Sequence, residues 1–81
     1  MKKNESIEKI IEIKKKLNDI GPFKGRAVML KDIKTRLFSL QRYSVPDDDP
    51  VIDKLYQATV KDFKTAERIL TEKQQEQSTL L

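Results

Sequence analysis

Few kinds of side chain in this sequence are able to bind or react. Three adjacent carboxylates, Asp47, Asp48 and Asp49, form its densest charge cluster. Oxygen ligands of this kind suit a hard cation such as Mg²⁺ or Ca²⁺, but a calcium loop needs them at alternating positions, with a glycine at the turn and a distal glutamate. That spacing is missing, so the cluster reads as an exposed turn ending in a helix cap, and no metal site is expected. Four cations, Lys54, Lys61, Lys64 and Arg68, recur at helical spacing and share one polar face, where they could track phosphates with a strong dependence on salt. Lys24, Lys31 and Arg42 share a direction on an earlier segment. The stretch Gly21-Pro22-Phe23-Lys24-Gly25-Arg26 puts glycines and basic residues at a helix start, as anion sites do. It lacks the Gly-x-x-x-x-Gly-Lys-Ser/Thr spacing of a nucleotide-binding loop and reads as an interhelix turn.

Other chemistries are excluded by composition. The 81 residues include no histidine and no cysteine. An imidazole base, a thiolate nucleophile, a disulfide framework, a zinc finger and an iron–sulfur site all fall away. Every Asp and Glu lies on a polar face, a cap or a turn, whereas acid–base catalysis needs a concave, partly desolvated place to tune a carboxyl group. A domain this small seldom builds one. The expectation is a non-enzymatic chain with no cofactor, no metal and no small-molecule substrate.

The elements that carry these side chains are marked off by the chain's breakers. Only two glycines and three prolines occur, and Gly21-Pro22 and Ser44 to Pro50 are the two strong breaks. They leave three amphipathic segments, predicting helices over 5–20, 23–43 and 50–73. In the first, Asn4 or Ser6 can cap, and Ile7, Ile10, Ile11, Ile13, Leu17 and Ile20 form a broad apolar stripe. In the second, Phe23, Ala27, Leu30, Ile33, Leu37 and Leu40 keep a helical rhythm flanked by Met29 and Phe38, and Gly25 weakens the first turn enough to start the helix a turn later. The third has Asp49 as N-cap and Pro50 at the first helical position. Val51, Ile52, Leu55, Tyr56, Ala58, Phe63, Ala66, Ile69 and Leu70 share its inner face, with Val60 away from it. Residues 74–81 read as a polar, frayed tail.

Short connections between amphipathic helices imply sequential neighbours, hence an all-α, antiparallel three-helix bundle spanning residues 1–73 with a long third helix. That helix should overhang the first by on the order of 10 Å at 1.5 Å per residue. Apolar residues make up 37% of the chain, against about 45–50% in an ordinary domain, so the core is small and a partner or a second copy would complete it. Tyr56, Phe63, Ile69 and Leu70 are the candidate partner-binding side chains. Their alternative role is simply core. Charge is also divided along the chain, with 12 basic and 5 acidic side chains in residues 1–45 and 5 basic and 8 acidic in residues 46–81. The asymmetry suits helix pairing, orientation of two copies, or a nucleic-acid contact through Lys54, Lys61, Lys64 and Arg68.

No apolar run approaches the roughly 18 residues of a membrane span, and Lys2, Lys3, Asn4, Glu5 and Ser6 do not open a signal peptide, so a cytoplasmic location is expected. The final Thr79-Leu80-Leu81 matches a carboxyl-terminal peptide motif that a sheet edge can capture, and it reads more simply as a loose end. The small basic size, the lysine-rich helices and the segment Val51-Ile52-Asp53-Lys54-Leu55-Tyr56 resemble the bacteriocin immunity proteins of Gram-positive bacteria. That resemblance implies self-protection through a protein partner and assigns no residue a role. Small phage regulators and plasmid-encoded accessory proteins share the description. The sequence thus points to a protein-interaction module, by self-association or by binding a partner, in a bacterial or phage accessory or regulatory role, with nucleic-acid binding as the alternative.

Overall fold

Scarce glycine and proline determine where the helices stop. A computed structural model describes the backbone of residues 2–79 and the side chains through Gln74, with α1 over Lys3–Ile20, α2 over Arg26–Arg42 and α3 over Pro50–Thr79. Both glycines take positive φ, 98° at Gly21 and 87° at Gly25, a region that other residues enter only under strain. Gly25 sits in the left-handed conformation directly before α2, so the helix starts at Arg26 and not at Phe23. Phe23, left in the connection, is buried and closes one end of the core. At α3 the Asp49 Oδ1 accepts a hydrogen bond from the Val51 N–H at 2.8 Å, which satisfies one of the orphan donors of the first turn.

Four boundaries, counting the start of α2, and several core assignments differ from the sequence expectation. α1 begins at Lys3, with Lys2 in the cap position and no side-chain cap; Ser6 is fully buried and does not cap. α2 ends at Arg42, one residue early. α3 continues past Lys73 to Thr79, because the Gln- and Glu-rich stretch contains helix formers and no breaker. Leu80 and Leu81, and the side chains from Gln75 onward, lie outside the described residues. Ala27, Val51 and Phe38 are exposed. On α2 the buried line runs through Ile33 and Leu40, and Ala27 lies about 120° around the helix from Ile33 at 3.6 residues per turn. Val60 is partly buried against the core.

The helices run up, down and up. The Lys3 Nζ donates to the Tyr43 carbonyl at 2.7 Å, joining the start of α1 to the end of α2. Lys9 lies over the Tyr56 ring at 5.7 Å from its centroid and Lys16 over the Phe63 ring at 5.8 Å. The two pairs share one offset in sequence, so α1 and α3 are parallel and keep level along their length. The buried residues Ile10, Ile13, Leu17, Phe23, Ile33, Leu40, Ile52 and Ala66 form the core, joined by the buried Thr59, whose hydroxyl donates to the Leu55 carbonyl at 2.7 Å. α1 packs closely on both other helices, while α2 and α3 touch least. Their main polar link is an ion pair, Arg36 Nη1 to Asp62 Oδ2 at 2.6 Å, about three-quarters buried.

The molecule measures 53 × 18 × 15 Å, and its length is set by α3. By the offset of the two lysine–ring pairs, Ile20 at the end of α1 is level with Glu67. The twelve further positions of α3 to Thr79 extend about 18 Å beyond α1 at 1.5 Å per residue, more than the sequence suggests.

Candidate interaction surfaces

Where α1 stops and α3 runs on, the bundle opens into a notch of about 510 Å³, with Ile20, Phe63 and Leu70 among its apolar lining and Lys16, Asp19, Glu67 and Thr71 around it. Gly21-Pro22 creates it by ending α1 one turn before the apolar pattern of α3 runs out. Of the four candidate partner residues, Phe63 and Leu70 meet here. Ile69 is half-buried and packs against the core from the other side of α3, and Tyr56 is half-buried two turns before Phe63 beneath Lys9. Leu70 is half-exposed and is not among the side chains packed on the core.

The lysine lids were not legible in the sequence. Lys9 and Lys16 each hold an ammonium over an aromatic face, worth about 0.5–1 kcal/mol at an exposed site. The signal that would have found them is a seven-residue step in lysines on α1 matching a seven-residue step in aromatics on α3.

The basic face of α3 is also formed. Lys61, Lys64 and Arg68 line a shallow depression of about 390 Å³ with Gln57, Val60 and Thr65, all from the one helix. Lys54 is exposed one turn before it. A strip of outer helix surface without an opposing wall can attract anions but fixes no ligand in place, and Arg68 lies 4.0 Å from Glu72 in an exposed i,i+4 pair that offsets part of its charge. On α2, Lys31, Lys34, Thr35 and Phe38 form a third, smaller surface, with Arg42 over the Phe38 ring at 5.6 Å. Phe38 is 54% exposed and Val28 63%. An apolar side chain facing water on this helix is a departure from the inner stripe that the sequence suggested.

Other sequence features are absorbed by the fold. Asp49 is occupied in capping α3, and among the described residues no group of three or more His, Cys, Asp or Glu is arranged to hold a metal ion. Arg26 donates from Nη2 to the Asn18 Oδ1 at 3.2 Å, so a cation of the Gly21 to Arg26 turn serves the α1–α2 junction. No helix of the described residues is long and apolar enough to cross a membrane. Compared with known proteins, the chain matches no family model, no curated relative and no solved structure.

Proposed function

We propose that this chain is a non-enzymatic helical interaction module, acting by association with a protein partner or with itself, and that its partner site is the notch at the end of α1. The observation that carries this reading is the termination of α1 beside a continuing α3, which leaves Leu70 and Phe63 side by side in an open, largely apolar recess. A partner side chain inserted there would exclude water from both, while Lys16, Asp19 and Glu67 at the rim would set its orientation and speed encounter. Tyr56 extends the same α3 face two turns before Phe63, and Ile69 would support the site from the core side. The corresponding biological role is accessory or regulatory, in a bacterium or phage, of the kind the immunity-protein resemblance implies.

The contiguous cations Lys61, Lys64 and Arg68 favour a second reading, nucleic-acid binding with Lys54 extending the strip. One experiment separates the two. The full chain is used for affinity capture from a lysate of its source cells, with proteins identified by mass spectrometry, alongside two variants. Leu70→Asp should abolish capture of the specific partner while helicity is retained, and Lys61→Glu with Arg68→Glu should leave capture intact. The reverse pattern, with oligonucleotide binding that collapses as salt is added, would replace the first reading with the second. A captured set that neither variant changes would remove both surfaces from consideration.

A further inference from the structure

The outer faces of α1 and α2, neither of which contributes to the notch's apolar floor except at the end of α1, carry opposite charge in matching patterns. On α1 the acids Glu5, Glu8, Glu12 and Asp19 are all exposed and fall within an arc of about 60° at 100° per residue, on the side opposite the buried Ile10 and Leu17. Lys15 and Lys16 each lie about 20° outside that arc, one on either side, and Ile11, about 60° from it on the Lys15 side, is 43% exposed. On α2 the side opposite Ile33 and Leu40 presents Val28, Lys31, Thr35, Phe38 and Arg42, all exposed, with Lys34 beside them. Asp32, the only acid of α2, is exposed and lies about 40° beyond Val28, at the edge of this strip.

We infer that α1 of one molecule docks antiparallel along α2 of a second copy, acidic strip on basic strip. The spacings agree. Glu8 and Asp19 are eleven positions apart, about 16 Å of helix, and so are Lys31 and Arg42. With Glu8 set opposite Arg42, Asp19 falls opposite Lys31, Ile11 and Glu12 come against Phe38, and Lys15 meets Thr35, the neutral member of the basic strip. Lys34, beside the basic strip, falls level with Lys16 and next to Lys15, so one pairing of like charges remains at the flank of the contact. The exposed apolar side chains of each strip are covered by the other, and the Arg42 guanidinium, already over the Phe38 ring, is within reach of a carboxylate as well. A second copy is the occupant favoured by charge complementarity, because the acidic strip has no use for a nucleic acid and the basic strip finds its complement on the same chain. Each molecule carries one face of each kind, so the contact is head-to-tail and builds a ring or a filament, growing past a dimer.

Sedimentation velocity of the full chain across a concentration series, at low and at high salt, tests this. The wild type should gain mass beyond a dimer as concentration rises at low salt and revert toward monomer at high salt, where exposed charges are screened. Glu8→Lys with Asp19→Lys, and separately Lys31→Glu with Arg42→Glu, should each lower the apparent association constant at least tenfold. An equal mixture of the two variants should associate again, because each then presents the complement of the other, and so should one chain carrying all four changes. If a charge reversal lowers helicity, Glu8→Gln with Asp19→Asn tests the same strip without reversing it and should weaken association in the same direction. A wild type that stays monomeric throughout overturns the inference, as does association that survives either reversal or is not rescued on mixing. A monomeric wild type that instead co-sediments with a mixed-sequence oligonucleotide gives the basic strip to nucleic acid. Leu70→Asp should leave self-association unchanged, which keeps this result separate from that for the notch.

Discussion

α1 and α2 are nearly equal in length, both are amphipathic, and they differ sharply in how they are held. α1 buries Ser6, Ile10, Ile13 and Leu17, and along the same helix Lys9 and Lys16 close over rings of α3. α2 buries only Ile33 and Leu40 and leaves Val28 and Phe38 to solvent. The difference follows from neighbours and not from local helix propensity: α1 lies against both other helices, whereas α2 is applied mainly to α1 and meets α3 through Arg36 and Asp62. A helix with one close neighbour needs a narrow apolar stripe, and the rest of its circumference is available for recognition. Structure in this molecule is concentrated in the parallel α1–α3 pair, and surface chemistry on α2 and the outer strips.

The largest effect should come from cutting into that pair. Leu17→Ala removes a fully buried side chain between helices and should cost about 2–5 kcal/mol by chemical denaturation. Leu37→Ala, at a half-buried position on α2, should cost clearly less, and equal losses at the two sites would end the distinction drawn between the helices. Asp62→Ala breaks the ion pair between α2 and α3 and should cost on the order of 1 kcal/mol, the partial exposure of both groups keeping it well below a fully buried pair. In native-state hydrogen exchange its effect should fall on α2 amides; uniform loss of protection would mean that α2 opens only with the whole bundle. The smallest effect has the opposite sign. Ser6 Oγ is buried with no hydrogen-bond partner, so Ser6→Ala should stabilise by roughly 0.5–1 kcal/mol through better helix propensity and the removal of an unpaired hydroxyl.

Much of this fold was legible before any coordinates. The three helices, the Asp49 cap with Pro50 behind it and the inner residues Ile10, Leu17, Ile33, Leu40, Ile52 and Ala66 follow from breakers and periodicity, which act locally. What stayed hidden depends on how wide a face each helix must offer. Periodicity put Ala27 inside and Val60 outside, but how far round each helix its contact with α1 reaches is set by packing, which leaves Ala27 exposed and Val60 partly buried. Ser6 reads as a cap from its type and is buried because α1 starts earlier, at Lys3. Phe23 reads as a helical core residue and reaches the core from a connection, since Gly25 holds the left-handed conformation that keeps it out of the helix. Phe63 and Leu70 were visible as large apolar residues, but the recess between them exists only because α1 ends where it does, and that requires the α1–α3 register.

The same register determines where the chain can change length. Lys9 with Tyr56 and Lys16 with Phe63 set α1 level with α3 through side chains, so the connection from Tyr43 to Asp49 is not a ruler for either helix. Extra residues placed there should be absorbed gradually, since doubling a loop costs only about 0.6 kcal/mol. A single residue inserted between Lys9 and Lys16 would instead turn everything after it by about 100° and carry Ile13 and Leu17 out of the core. Insertions should therefore accumulate in the connection and be purged from α1.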